Sequence, residues 1–90
     1  MKRYYVLFEG QVQGVGFRWR LMDICNKMHI TGTVKNRSDG RVEAYMQGES
    51  ADILSAIDRL RHTSPWIIIE DYHMKEVDII ADERGFDVRY

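Results

Sequence analysis

The sequence predicts an α+β domain in which two helices cover one face of a four- to five-stranded antiparallel sheet. Three observations lead to this fold class. Short segments near both ends and in the middle of the chain alternate apolar and polar residues, as strands do, and two longer stretches place apolar residues at helical spacing. The segments follow one another in the order β-α-β-β-α-β with one further strand, which is typical of the ferredoxin-like split β-α-β arrangement. A chain of 90 residues has room for one domain, which we expect over residues 1–90.

The first half of the chain is expected to supply three strands and one helix. Residues 3–9 are rich in aromatic and β-branched types and predict the first strand, which the glycines of residues 10–16 should end. The second strand is expected at Thr31–Asn36, and a turn at residues 38–40 leads into a third strand that begins at Val42. The intervening helix is predicted from apolar residues at offsets 0, 4, 7, 8 and 11, which are Phe17, Leu21, Ile24, Cys25 and Met28.

The second half should contain a helix followed by two strands. Ser50 is predicted to be the N-cap of the helix, and Asp52 in the first turn favours the helix start through the macrodipole. We expect the helix to end before residues 63–65, a fourth strand within residues 66–79 and a fifth within residues 85–90. The apolar stripe of this helix consists of Ile53, Ala56, Ile57 and Leu60.

Charge and cysteine content restrict the classes of function. The formal net charge is −1, so no overall positive field attracts nucleic acid or anionic membranes, and any anion site must be local. Cys25 is the only cysteine, which excludes an intrachain disulfide. The apolar run after Arg3 is too short for a signal peptide, and no segment is long enough to cross a bilayer. We therefore expect a cytoplasmic monomer with neither a nucleic-acid nor a membrane partner.

The most informative segment is the glycine-containing loop at residues 10–16, which leaves a strand and opens into a helix. Glycines allow successive main-chain N–H groups to point into one concavity, and the helix start adds unpaired N–H groups and partial positive charge. Arg18 opposes the macrodipole in this first turn, which is understandable if it grips a dianion. The alternative is that the glycines only turn the chain and Arg18 is solvated. The pattern matches neither a Walker loop nor a dinucleotide fingerprint.

Chain geometry adds Asn36 to the same edge of the sheet. The first two strands belong to a β-α-β unit and must run parallel, so the chain returns to the level of the loop near residues 35–37. The third strand should run between them and leave a gap for a small substrate and a water. A carboxamide can donate and accept hydrogen bonds, so Asn36 could orient that water. The alternative role for Asn36 is turn chemistry ahead of Asp39 and Gly40, both of which we assign to the turn.

Several segments of the chain resemble the acylphosphatase family. Residues 4–48 match the family pattern well, and the closing residues 85–90 are also similar. One departure is Thr33, where members often have tryptophan, and residues 50–80 carry little family-specific pattern. The main motifs are Gly10-x-Val12-Gln13-Gly14-Val15-Gly16-Phe17-Arg18, Thr31-Gly32-Thr33-Val34-Lys35-Asn36 and Asp39-Gly40-Arg41-Val42-Glu43.

The resemblance implies a cofactor-independent hydrolase that cleaves the carboxyl–phosphate bond of acyl phosphates to give carboxylate and inorganic phosphate. The arginine of the family's first motif, Arg18 here, binds the phosphate together with loop amides. The asparagine of the second motif, Asn36 here, positions the attacking water. Inorganic phosphate or sulfate is an expected site ligand, and no metal is expected. The implied phosphate-binding residues are Gln13, Gly14, Val15, Gly16, Phe17 and Arg18.

Two other functions fit the same strand order. Acylphosphatase-like domains also occur inside larger proteins, such as hydrogenase-maturation carbamoyltransferases, so a non-catalytic anion-binding or regulatory domain is the second candidate. The presence of both Arg18 and Asn36 favours the enzyme. RNA binding on the sheet is the third candidate, and it is disfavoured because the third strand lacks paired stacking aromatics.

The remaining reactive and aromatic residues receive structural roles. Cys25 falls on the apolar stripe of the first helix and is expected in the core. Residues 67–69 are expected to form a buried strand. Trp19 and Trp66 are expected to pack against the protein, with a place at the substrate entrance as the alternative. The histidines lack metal-ligand spacing and are expected at helix ends or on the surface, and they are His29, His62 and His73.

Overall fold

A computed structural model describes all residues of the chain, Met1–Tyr90, and confirms the predicted α+β fold with two helices and five strands. The strands form one sheet in the order β4-β1-β3-β2-β5, so β3 lies between β1 and β2 as expected. Neither helix combines the length and the apolar character needed to cross a bilayer. The elements are β1 (Lys2–Gln11), α1 (Phe17–Lys27), β2 (Thr31–Asn36), β3 (Val42–Gly48), α2 (Ser50–Arg61), β4 (Ile68–Val77) and β5 (Phe86–Arg89).

The sheet is mixed rather than wholly antiparallel, because β5 pairs with β2 in the parallel sense. All the other pairs are antiparallel. After β4 the chain reverses its direction, as it would in a hairpin, but it crosses to the opposite edge of the sheet. The strand at that edge, β2, already runs opposite to β4. A returning strand placed there is therefore parallel to its neighbour.

The first strand is longer than the sequence predicted. It continues through Gly10 to Gln11, with an irregularity in its pairing with β4 between Glu9 and Gly10. Gly10 has φ 127°, and a Cβ at this position would collide with the backbone of Ile68. The glycine that was expected to end the strand instead forms a bulge, because only glycine fits this close backbone approach.

The second helix begins differently from the prediction. Ser50 is its first helical residue and Glu49 is the N-cap, without a side-chain hydrogen bond from the cap. The hydroxyl of Ser50 instead hydrogen-bonds the hydroxyl of Tyr4 on β1, at 3.2 Å. Asp52 does lie in the first turn, as expected. Ser50 therefore forms a tertiary hydrogen bond with Tyr4 instead of the local capping bond that the sequence predicted.

A single cluster of 19 buried apolar residues fills the space between the helices and the sheet. Cys25 is fully buried in it, and desolvation raises the pKa of its thiol to about 12, which confirms its place in the core. The run at residues 67–69 is buried only at alternate positions, since Ile67 and Ile69 lie inside and Ile68 is 49% exposed. This pattern follows from the two-residue period of an extended chain.

The β4–β5 connection, residues 78–85, makes polar contacts with the face of the sheet that points away from the two helices. The Arg3 guanidinium donates to the Glu83 carboxylate at 2.6 Å, and both side chains are largely shielded from solvent. The Thr31 hydroxyl donates to the same carboxylate at 2.8 Å. Gln47 exchanges two 2.9 Å hydrogen bonds with the main chain of Ile80. Arg3, Gln47 and Thr31 are cross-strand neighbours on β1, β3 and β2, so these contacts clamp three strands.

Glu83→Ala is expected to destabilise the fold by about 3 kcal/mol, because it leaves the buried Arg3 guanidinium without its counter-ion. Urea denaturation of the variant measures the effect. Glu76→Ala is the matched control, since it removes an ion pair with Lys2 whose side chains are both at least half exposed. Equal denaturation midpoints for the two variants would contradict the role given to Glu83.

Candidate functional site

A small cavity of about 100 Å³ lies where β1 and β2 end. The loop between β1 and α1 and the last residue of β2 meet around it. The expected convergence of Arg18 and Asn36 is therefore present, because both residues line this cavity. The other lining residues come from the loop and the first turn of the helix. They are Val12, Gly14, Gly16, Phe17 and Trp19.

The loop conformation depends on two glycines with positive φ. Gly14 has φ 72°, and Gly16 has φ 78° at the N-cap position of α1. Gly16 has no side chain with which to cap the helix, and the first turn holds no acidic residue. The N–H groups that open α1 therefore have no side-chain partner from the cap, and the positive end of the helix dipole faces the cavity region. This is the arrangement that favours an anion.

Arg18 adds a full positive charge to this helix start. Its guanidinium lies over the ring of Tyr90, with Cζ 4.8 Å from the ring centroid, and donates from Nη1 to the main-chain carbonyl of Arg89 at 3.3 Å. No carboxylate forms a salt bridge with it. The residues at the end of β5 thus hold the guanidinium in place without neutralising its charge.

Asn36 ends β2 opposite Val42 of β3. Its side-chain oxygen, Oδ1, is buried and has no hydrogen-bond partner within the protein. A buried polar atom in this condition costs about 1–3 kcal/mol. The residue itself lines the cavity, so its carboxamide lies beside the space that a ligand would occupy. Asn36 is still part of β2, so the alternative role of stabilising the β2–β3 turn falls to the residues that follow it.

The β2–β3 turn is held by Asp39. Its carboxylate accepts from the main-chain N–H and the guanidinium of Arg41 and from the guanidinium of Arg37. These contacts, those with Arg41 foremost, hold the pKa of Asp39 well below its usual range. Gly40 follows with φ 89°, so the assignment of Asp39 and Gly40 to the turn is confirmed.

Gln13 joins the loop to this turn. Its side-chain amide donates from Nε2 to the carbonyl of Arg37 at 2.7 Å and to the carbonyl of Arg41 at 2.9 Å. These two carbonyls lie on either side of the turn, so one carboxamide holds the β1–α1 loop against the strand that carries Asn36. Both side-chain N–H donors of Gln13 are thereby used, which leaves only its main-chain N–H to donate to a phosphate in the predicted binding role.

The structure divides the predicted phosphate-binding residues into two groups. Gly14, Gly16, Phe17 and Arg18 line the cavity, whereas Gln13 and Val15 do not. Val15 is partly buried against the core instead. Phe17 is almost fully buried, so it faces the core with its side chain and can offer the cavity only its main chain.

For Trp19 the sequence analysis preferred packing over the alternative place at the substrate entrance. Trp19 lines the cavity and is 53% exposed, and Trp66 is 68% exposed, so the expected packing role is wrong for both. Trp19 follows Arg18 directly and projects from the exposed start of α1, a place from which an aromatic ring reaches a ligand more easily than the core. The position of Trp19 directly after Arg18 was the sequence signal that favoured a place beside the cavity.

The histidines lie where the sequence placed them, after helices or on the surface. One of them, His73, nevertheless joins a cluster that residue spacing does not show. Potential ligand atoms of Glu9, Asp71 and His73 lie within 4.8 Å of one another on β1 and β4. Glu9 also pairs with the Arg41 guanidinium at 3.3 Å, so part of its charge is already neutralised.

The structure is thus a small α+β domain with a cationic cavity where β1 and β2 end. Comparison with known proteins names the class further: the chain belongs to the acylphosphatase family of hydrolases, whose family model matches residues 4–88. It is 36% identical over 90 residues to an acylphosphatase of Geobacillus thermodenitrificans (strain NG80-2), and the match covers 100% of this chain and 96% of the relative. The expected enzyme class is thereby confirmed.

Solved structures agree with this assignment. The crystal structure of acylphosphatase from Bacillus subtilis superposes with a TM-score of 0.89 at 32% identity and covers 100% of both chains. The crystal structure of T. kodakarensis HypF matches with a TM-score of 0.85 at 31% identity, covering 100% of this chain and 12% of that one. The same fold thus occurs in a chain of similar length and as a small part of a longer one.

Gln13→Ala should cost about 1–2 kcal/mol of stability, because it removes both hydrogen bonds between the loop and the β2–β3 turn. It should also lower acylphosphatase turnover by separating Arg18 from Asn36. The matched control is Gln11→Ala, which removes a single hydrogen bond from Nε2 to the Trp66 carbonyl away from the cavity. Thermal unfolding and kcat measured on both variants test the role. A Gln13→Ala variant with the kcat of wild type would refute it.

Tyr90→Ala is expected to raise KM for an acyl phosphate roughly two- to fivefold, since the Arg18 guanidinium loses the ring on which it lies. Tyr90→Phe keeps the ring and should retain the KM of wild type. Steady-state kinetics on the pair distinguish support of Arg18 from a general effect at the end of β5. If both variants behave alike, Tyr90 does not position Arg18 through its ring.

Proposed function

We propose that Arg18 and the main-chain amides of the β1–α1 loop bind the phosphoryl group of an acyl phosphate, and that Asn36 positions the water that attacks it. The observation that carries this proposal is the convergence of an uncompensated guanidinium and the Asn36 carboxamide on the same cavity. An oxygen without a protein donor is suited to accept a hydrogen bond from water. The Asn36 carboxamide can therefore hydrogen-bond the attacking water and direct a lone pair of the water oxygen at phosphorus.

The reaction is a phosphoryl transfer to water. A bond forms between the water oxygen and phosphorus, and the bond between phosphorus and the carboxyl oxygen breaks. The products are a carboxylate, inorganic phosphate and the proton released from the water. Because the conjugate acid of the leaving carboxylate has a pKa near 4–5, the departing oxygen needs no general acid.

The demands on the protein are then limited to positioning and to charge stabilisation. Phosphoryl transfer places negative charge on the equatorial oxygens, where the Arg18 guanidinium and the amides at the start of α1 can donate hydrogen bonds. Asn36 supplies the orientation of the nucleophile. We propose that neither a metal nor a covalent intermediate takes part, and that alkyl phosphate esters are poor substrates because an alkoxide needs more help to leave.

A second candidate is a domain that binds anions without hydrolysing them. The match to a 12% segment of HypF favours considering it, because the fold there is part of a longer protein. Both candidates need Arg18 and the loop amides, whereas only the enzyme needs Asn36. Phosphate or sulfate binding without turnover of benzoyl phosphate would select this second function. The monomeric state and the cytoplasmic location stay predictions.

Arg18→Ala is expected to lower kcat/KM for benzoyl phosphate about 10³-fold, because it removes the charged donor to the phosphoryl group. Asn36→Ala should lower kcat at least about a hundredfold while the competitive inhibition constant of inorganic phosphate stays close to that of wild type. Steady-state kinetics with the spontaneous hydrolysis rate subtracted give both quantities.

Arg84→Ala is a suitable control for the loss of one arginine, because Arg84 lies in the β4–β5 connection and is exposed. It should leave both constants unchanged. Wild-type turnover no faster than spontaneous hydrolysis would end the proposed activity. An Asn36→Ala variant with full kcat would remove the assigned role of Asn36 and leave the activity itself standing.

A further inference from the structure

The cavity that holds Arg18 and Asn36 is flanked by two larger grooves. The first, which we call the Trp19 groove, has a volume of about 350 Å³ and shares Gly16 and Trp19 with the cavity. The second, the Lys35 groove, has a volume of about 420 Å³ and shares only Asn36 with it. The two grooves have no lining residue in common. They therefore adjoin the cavity through different walls, one at the start of α1 and the other at the end of β2.

The in-line geometry of phosphoryl transfer indicates which groove receives the acyl part of the substrate. In phosphoryl transfer the attacking and leaving oxygens lie roughly in line on opposite sides of phosphorus. Asn36 positions the water in the proposed mechanism, so the nucleophile approaches from the wall that the Lys35 groove shares. The leaving carboxylate must then depart on the far side of phosphorus, towards Gly16 and Trp19. The Trp19 groove is the space that an acyl chain enters from there.

The walls of the Trp19 groove indicate what kind of acyl group fits. Trp19 and Ile24 offer apolar surface beside the cavity. The Arg20 side chain folds back against the loop, with Nε 3.7 Å from the position that a Cβ on Gly16 would take, and Nη1 donates to the Thr63 carbonyl at 3.4 Å. That carbonyl uses one of the five N–H donors that a guanidinium carries.

The charge of Arg20 is not neutralised within the groove. No carboxylate forms a salt bridge with it, and Asp23, the acidic residue in the same groove, is paired with the Lys27 ammonium at 3.0 Å. The groove therefore combines an aromatic and aliphatic wall with one available guanidinium and one carboxylate that is paired with Lys27 outside the groove. An acyl group with an apolar body and an anionic group at its far end matches both features.

We propose that the Trp19 groove binds the acyl part of the substrate and that Arg20 makes the enzyme prefer acyl phosphates with a second anionic group remote from the phosphate. This inference rests on the proposed function of the cavity and deepens it by naming the substrate class. Arg20 is a specificity residue in this account: it contacts the tail of the substrate, whereas Arg18 contacts the phosphoryl group.

The test compares three substrates that differ only at the para position of one ring: benzoyl, 4-carboxybenzoyl and 4-carbamoylbenzoyl phosphate. The last two have nearly the same size and differ in charge. The rigid ring keeps the para group away from the phosphate, so the carboxylate cannot attack its own anhydride. Each kcat/KM is divided by the spontaneous hydrolysis rate of the same substrate, because the two para groups withdraw electrons to different extents. We expect the normalised value of the wild type to be roughly two- to fivefold higher for the carboxylate than for the carboxamide, as for an exposed ion pair. This ratio should fall as ionic strength rises.

Arg20→Gln should bring the carboxylate-to-carboxamide ratio of normalised kcat/KM to about one. Arg84→Gln is the matched control, because it makes the same chemical change on the exposed β4–β5 connection and should retain the wild-type ratio. The comparison is between ratios, so an effect of Arg20 on the phosphate itself cancels out.

Three results would overturn the proposal. A wild-type ratio of one or less shows that the groove does not select an anionic tail. A ratio that persists in Arg20→Gln shows that another group selects it. An equal loss of kcat/KM on all three substrates in Arg20→Gln places the guanidinium at the phosphate instead. If benzoyl phosphate itself is not hydrolysed, the proposed function fails first, and this inference fails with it.

Discussion

Two hydrogen bonds from the Gln13 carboxamide join the loop that lines the cavity to the turn that follows Asn36. They reach the carbonyls of Arg37 and Arg41 on either side of the β2–β3 turn. The loop that carries the helix start and the strand that carries Asn36 are far apart in sequence, and β3 separates their strands in the sheet. Without a bridge at this edge, loop mobility would spread the distance between Arg18 and Asn36. Positioning is the main demand that phosphoryl transfer makes on a protein, so we expect this bridge to affect turnover as well as the fold.

Polar side chains are paired near the start of β1 and unpaired at the cavity near its end. On the face away from the helices, Arg3, Gln47 and Thr31 are all paired with the β4–β5 connection, and the Glu83 carboxylate accepts from both Arg3 and Thr31. At the site, Arg18 has no carboxylate and Asn36 Oδ1 has no donor. Satisfied polar groups stabilise the sheet, whereas the unsatisfied ones remain available to a ligand. This contrast supports the proposed role of the cavity, because proteins commonly break local rules of stability at functional sites.

Several parts of the fold could be predicted because they depend on local pattern. The periodicity of residues 17–28 placed α1, and alternation placed β2 and β3 with the turn at Asp39 and Gly40 between them. The departures occur where a distant segment decides the local outcome. Gly10 continues β1 as a bulge because Ile68 approaches its backbone, and Ser50 gives its hydroxyl to Tyr4 rather than to the helix start. No window of neighbouring residues contains these partners.

The sequence by itself determined that β3 lies between β1 and β2 and that Arg18 and Asn36 converge, because a β-α-β crossover must return the chain to the end of the sheet where it began. Only the tertiary structure decided what surrounds this pair. The parallel placement of β5 brings Arg89 and Tyr90 to the Arg18 guanidinium, and the packing of α1 beside the end of α2 brings Thr63 to Arg20. These contacts join segments more than forty residues apart. Periodicity encodes which face of a segment is buried, but it carries no information about which distant side chain that segment will meet.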